Sequence, residues 1–294
     1  MTGFICLNKQ QDISSFWAVK QTLKLFNEKK GGHTGTLDPF ATGVLPIAVG
    51  RATRFIELLQ TDKKAYIAKV QLGITTDTLD ITGEIITKTP VRVSASEIEK
   101  ALASFRGKIS QTPPMFSAIR KDGVRLYDLA RRGEVVEREQ REVEISKLEL
   151  LNVQNDFFDI YVECSAGTYI RSLADDIGVS LGCGAVLYQL SRTRANGFSI
   201  DESTTLEQMR QMDESELKKL VIPLDRALEK YEKVTVSSSQ AKRFKNGGEL
   251  MKSRIDCSGN EGYYRVYSPE NIFLGIGEIK ASSDELSVKK VLSE

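Results

Sequence analysis

The sequence predicts an α+β protein, with a mixed domain over residues 1–228 and a small β-rich module over residues 229–294. Three observations predict it. Residues 66–72 and 158–164 alternate apolar and polar side chains, as half-buried strands do. Amphipathic stretches with helix-start signals follow them, at residues 94–105 and 168–177. After Pro223 the pattern changes to short strands with glycines between them, at 234–236, 263–266, 272–276 and 286–292.

The length of 294 residues suits one large domain or two unequal ones. At 40% hydrophobic and 28% charged, the chain reads as a soluble protein able to bury a good core. Its net charge is +1, so any binding to nucleic acid requires charge sorted into patches. Cys6, Cys164, Cys183 and Cys257 lie far apart, and there is one histidine, so no zinc cluster is expected. Scattered thiols suit a reducing compartment. Residues 1–9 do not read as a signal peptide, and no run approaches a membrane span. The expected location is the cytoplasm.

Taken in order, residues 3–7 form an apolar strand, followed by Lys9. Ser14 and Ser15 cap a helix on which Phe16, Val19, Leu23 and Phe26 recur at helical spacing. Residues 31–46 hold four glycines, two prolines, three threonines, Asp38 and the lone His33, a composition that favours neither helix nor sheet. Glycine permits left-handed backbone and close approach, and Asp38 before Pro39 is biased towards extended backbone. The segment reads as a stiff loop presenting one carboxylate. It is neither a phosphate-binding Walker loop nor a dinucleotide turn, because the glycine spacing and the Gly-Lys-Ser/Thr ending are absent.

Residues 51–59 read as a helix. On the strand at 66–72, Tyr66, Ala68, Val70 and Leu72 face one way, and Gly73 ends it. A polar connection, Thr75 to Asp80, leads to a strand at 84–87, and Ser94 with Glu97 boxes the start of a helix through Phe105. Residues 106–141 carry nine basic against five acidic side chains, +4, with Pro113, Pro114, Gly123 and Gly133. They read either as a solvated excursion or as a mobile arm that clamps phosphates and orders on binding. After the strand at 158–164, Thr168 is a helix cap, and Ile170, Leu173, Ala174 and Ile177 form an apolar face. Arg171 sits in the first turn off that face, where a cation opposes the helix dipole and calls for an anion nearby. A last helix, residues 237–246, ends at Gly247 with Lys242, Arg243 and Lys245 near its C-terminus.

Gly-His-Thr-Gly-Thr-Leu-Asp-Pro-Phe-Ala-Thr-Gly-Val-Leu-Pro, residues 32–46, resembles the catalytic-loop signature of the TruB family of tRNA pseudouridine synthases. Gly167-Thr168-Tyr169-Ile170-Arg171 resembles the family's second motif, whose arginine pairs with the catalytic aspartate. Residues 182–185 and 188–194 resemble a third motif less specifically, with Ser191 where relatives often have arginine. Gln10 stands where relatives usually carry proline after Lys9. Residues 113–120 and 123–127 resemble the family's RNA-gripping insertion, and residues 229–294 its RNA-binding PUA domain by position and pattern. The resemblance implies the pseudouridine synthase fold, a curved and mainly antiparallel mixed sheet with flanking helices, plus a PUA-like barrel.

The implied activity is conversion of uridine 55 to pseudouridine in the tRNA T-loop, by a monomer without metal or cofactor. Asp38 is then the catalytic carboxylate and Arg171 its partner. A carboxylate can hold the nucleoside while the base is detached, and a neighbouring cation keeps it ionised. The uridine must be flipped out. The resemblance assigns Tyr66 as the ring under the uracil, with a hydroxyl able to move a proton, although its strand pattern also fits a core tyrosine. It assigns His33 to the gap left by the flipped base and Leu190 to the pocket wall. Lys9, Arg131 and Arg132 are further expected RNA contacts. The rival reading is a non-catalytic protein that binds or folds tRNA in the same cleft.

Overall fold

The computed structural model describes residues 1–59 and 63–292. β1 (Gly3–Lys9) is followed by α1 (Ser15–Leu25), whose first turn is held by the Ser14 hydroxyl accepting from Trp17 N–H. Phe16, expected on the inner face, is 65% exposed, and Ser15, Ala18, Val19 and Thr22 turn inward instead. The reason is a local hydrogen bond. The Ser15 hydroxyl accepts from Leu37 N–H and donates to Leu37 C=O, which sets the helix rotation and anchors the Gly-rich loop.

That loop is shorter than its composition implies. β2 (Gly31–His33) pairs with β3 (Thr42–Val49), leaving residues 34–41 between them. Glycine is required at 31, where a Cβ would press within 2.7 Å of Leu23 and 2.9 Å of the Ala48 carbonyl. The expected helix after β3 is a 3-10 helix (Gly50–Leu58). Its buried residues, Ala52, Phe55 and Leu58, recur every three positions, which is the 3-10 period.

β4 (Lys64–Leu72) leads into a hairpin of β5 (Ile74–Thr76) and β6 (Ile85–Lys88), then into α2 (Ala95–Ala103) with its capping box formed. The charged stretch contains β7 (Gly107–Gln111), a small hairpin of β8 (Arg120–Lys121) and β9 (Val124–Arg125), and α3 (Leu126–Ala130). Met115, Leu126 and Leu129 give it a small apolar cluster of its own. β10 (Arg141–Gln154) is a long strand that alternation alone does not reveal, because bulges between Ile145 and Lys147 and between Leu150 and Asn152 shift the buried positions by one. β11 (Phe157–Cys164), α4 (Ile170–Ser180), β12 (Ala185–Ala195), β13 (Phe198–Ser199), β14 (Thr204–Thr205) and three short helices, α5 (Leu206–Gln211), α6 (Glu214–Lys219) and α7 (Leu224–Ala227), complete the larger part.

The main sheet runs β14-β1-β3-β12-β4-β11-β10-β7, with β2 and β13 paired at its side. Its joins are antiparallel except β1 with β14 and β3 with β12. β1 and β3 are buried on both faces. Ile5, Leu7, Leu45 and Ile47 pack into the core under α1 and α4, whereas Phe4, Cys6, Val44 and Ala48 pack the other way, onto Phe55, Leu58 and Ile276. On β4 the outer face is open, with Ile67 exposed.

The C-terminal part is β15 (Glu232–Thr235), α8 (Ser238–Lys245), β16 (Leu250–Met251), β17 (Gly262–Tyr267), β18 (Phe273–Ile279) and β19 (Glu285–Val291), in one sheet ordered β15-β17-β18-β19-β16. It closes around Val234, Phe244, Tyr264, Val266 and Leu286 as a PUA-like half-barrel. No helix among the described residues is long and apolar enough to cross a membrane.

Candidate active site

Asp38 stands at the tip of the 34–41 loop, where several elements hold it. Lys9, at the end of β1, is fully buried, and its Nζ donates to the carbonyls of Gln10, Ile13 and Pro39 at 2.8–3.0 Å. Arg192 on β12 is also fully buried, and its guanidinium donates to the carbonyls of Gly35, Thr36 and Val44. Gly43 lets the β12 backbone approach, since a Cβ there would lie 2.3 Å from the Arg192 carbonyl oxygen. Two buried cations thus tie down the loop by its backbone oxygens. Lys9, expected to touch substrate, has its donors occupied inside the protein and braces the loop from beneath.

Arg171 is 5% exposed in the first turn of α4. Its Nε lies 2.9 Å from Asp38 Oδ2 and one NH2 group donates to Asp38 Oδ1 at 3.1 Å, a two-point contact. The other side of the guanidinium donates to the Thr78 carbonyl and lies 3.6 Å from Asp80 Oδ2. Asp80 is buried in turn and accepts from the Thr78 hydroxyl and Thr82 N–H. The cation at a helix N-terminus is therefore compensated by two carboxylates. Nothing in the local pattern of residues 75–80 marks Asp80 as more than part of a polar connection. Thr168, the expected cap of α4, donates back to Ser165 C=O instead. The cap position is Tyr169, whose N–H and C=O are both taken by the Gln111 side chain.

Burial raises the Asp38 pKa above the ordinary carboxylate value, and the Arg171 charge pulls against it. Asp38 keeps 32% of its side chain open. It faces a cavity of about 340 Å³ walled by Tyr66, Leu190, Tyr127, Tyr169 and Phe116, large enough for a small planar ligand. Tyr66 is buried on the inner face of β4, and burial pushes its phenol up to about 12, with Arg192 opposing.

Other expected contacts lie further out. His33 ends β2 beside the loop and does not line this cavity. Burial, with help from Arg192, lowers its pKa, and among the described residues its Nδ1 has no hydrogen-bond partner. Arg131 stacks over the Tyr127 ring at 5.7 Å, so it approaches the cavity through that tyrosine. Arg132 is exposed and lies 3.6 Å from Glu134.

The mixed sheet thus carries an arginine-held carboxylate beside an aromatic-walled cleft. The TruB family pseudouridylate synthase N-terminal domain matches residues 23–170, half of the chain. The tRNA pseudouridylate synthase B C-terminal domain matches residues 171–229, and the C-terminal domain of pseudouridine synthase II TruB matches 233–292. The chain belongs to the TruB family of pseudouridylate synthases and is an isomerase of that family.

The tRNA pseudouridine synthase B of Clostridium acetobutylicum is 40% identical over 294 residues, covering 100% of both chains. That of Stutzerimonas stutzeri is 42% identical over 283 residues, covering 95% of this chain and 92% of the relative. Among solved structures, a chain of a Cbf5-Nop10-Gar1 complex superposes with a TM-score of 0.77 at 25% identity, covering 99% of this chain and 85% of that one. A chain of an H/ACA RNP bound to a substrate RNA containing 2'-deoxyuridine gives 0.76 at 24%, covering 99% and 85%, a likeness of fold.

Proposed function

We propose that this protein converts uridine 55 in the T-loop of tRNA to pseudouridine. The observation that carries the reading is the Asp38–Arg171 pair at 2.9 Å, at the edge of a cavity that also holds Tyr66. A uridine stacked inside the T-loop cannot reach such a cavity, so it must be everted, at a cost of a few kcal/mol. Stacking on Tyr66 returns roughly 1–3 kcal/mol of that. The N1–C1′ bond then breaks, the uracil turns, C5 bonds to C1′, and the C5 proton leaves while N1 gains one. Asp38, whose ionised form Arg171 favours against burial, holds the sugar or base meanwhile. The Tyr66 hydroxyl carries the proton. Arg131 and Arg132 on the 106–141 arm grip the RNA backbone, and residues 229–294 add affinity as a PUA-like domain.

Tritium release from tRNA carrying 5-tritiated uridine tests the reading. Release is expected from tRNA with uridine at 55 and not from tRNA with cytidine there. Asp38→Asn is expected to abolish release while tRNA affinity stays within several-fold. Substantial release by that variant overturns the assignment of Asp38, and binding without any release by the unaltered protein leaves a tRNA binder.

A further inference from the structure

Lys64 starts β4 and shares a strand face with Tyr66, two residues on. Its side chain forms part of the wall of the Asp38 cavity. A Cβ on Gly35 would lie 3.4 Å from its Nζ, so the glycine leaves the ammonium room beside the loop.

The buried cations beneath this cleft are committed to the protein. Lys9 and Arg192 donate to loop carbonyls, and Arg171 is held by Asp38, Asp80 and two backbone carbonyls. Among the described residues, the groups acting on the Lys64 charge are Arg192 and the Cys164 thiol, and neither a carboxylate nor a hydrogen-bond acceptor is among them. Burial and the Arg192 charge both lower its pKa. A partly buried ammonium without an acceptor is costly in the free protein, and an arriving anion relieves that cost.

A nucleotide turned into this cleft brings such an anion. A phosphodiester brought near the Asp38 carboxylate is repelled unless a cation stands alongside. Lysine suits the task because its compact point charge binds phosphate without fixed geometry. We propose that Lys64 is a substrate-positioning residue whose ammonium holds a phosphodiester flanking the everted nucleotide, setting the sugar against Asp38. This rests on the reading of the cleft as one that takes an everted nucleotide.

The test uses the full chain, its Lys64→Met and Lys64→Arg variants, and T-arm RNAs carrying one uncharged methylphosphonate immediately 5′ or 3′ of the target uridine. Dissociation constants across a salt series and single-turnover rates at saturating RNA are measured. Lys64→Met is expected to weaken binding about tenfold and to flatten the log–log salt dependence by about one unit, the signature of one phosphate no longer neutralised. Lys64→Arg is expected to keep the slope. One of the two methylphosphonates should cost the unaltered protein a similar factor and cost Lys64→Met almost nothing. Unchanged affinity in Lys64→Met, or full independent penalties from both methylphosphonates, overturns the proposal. So does a loss confined to the single-turnover rate, which assigns Lys64 to proton handling. Because binding is read separately from turnover, absence of pseudouridine would count against the function and leave the Lys64 result readable.

Discussion

Asp38 carries its charge at a cost to the fold. Its pKa in the folded protein is raised, first by burial, so the folded state holds the proton more tightly than the unfolded chain does. Ionisation of Asp38 therefore costs stability at neutral pH, and that cost is recovered as pH falls through the folded pKa. The proposed reaction needs the ionised form, so the acid limb of the single-turnover rate is expected above 3.8, the ordinary aspartate value. Arg171→Gln is expected to move that limb further up, because the largest opposing influence is gone. A limb at or below 3.8, or one unmoved in the variant, contradicts this role for the pair. Tyr66 separates ring from hydroxyl. Tyr66→Phe is expected to slow single turnover by about 10²–10⁴-fold through loss of the proposed proton carrier. Tyr66→Leu loses the stacking as well. Normal turnover in both variants makes Tyr66 a core residue only.

At the scale of elements, the 106–141 stretch is a built structure with a charged surface. β7 is hydrogen-bonded to the edge of the main sheet through β10, while the β8–β9 hairpin and α3 rest on Met115, Leu126 and Leu129. Its positive charge lies mainly on exposed side chains, and Arg131 lies over Tyr127 at the cavity wall. Replacing Arg131 and Arg132 with Ala is expected to weaken tRNA binding and to reduce the log–log salt slope by about one unit for each phosphate left without its cation. An unchanged slope makes the stretch a plain surface excursion. Composition shows the excess charge. It does not show β7 or β10, because the bulges in β10 break the alternation that identifies a strand.

At the scale of the molecule, the C-terminal part is also a wall of the larger one. Ile276, Phe273 and Tyr263 pack with Phe4, Phe55 and Leu58, and Tyr231 Oη donates to the Leu58 carbonyl. A chain ending at Leu228 uncovers that apolar face. It is expected to melt at lower temperature and to bind tRNA less tightly, yet still to modify tRNA at saturating concentration, since the residues lining the Asp38 cavity all precede 229. A folded truncation that is inactive at saturation shows that the module contributes to the active site.

The sequence by itself determined the pieces that depend on local repetition. The two-residue alternation of β4 and β11, the helical face of α4, the capping box of α2 and the Gly-rich loop around Asp38 are properties of neighbouring residues, and they are legible as such. The motifs also pointed to Asp38, Tyr66, Leu190 and Arg171 as a set. Only the tertiary structure decided what each charge meets. Asp38 and Arg171 are 133 residues apart, and Asp80 enters from a third segment. Lys9, Lys64 and Arg192 all carry the same positive charge in the sequence. Two of them end buried under loop carbonyls and one stands in the cleft, because burial and partners are set by how distant strands return to the sheet, which no local spacing records.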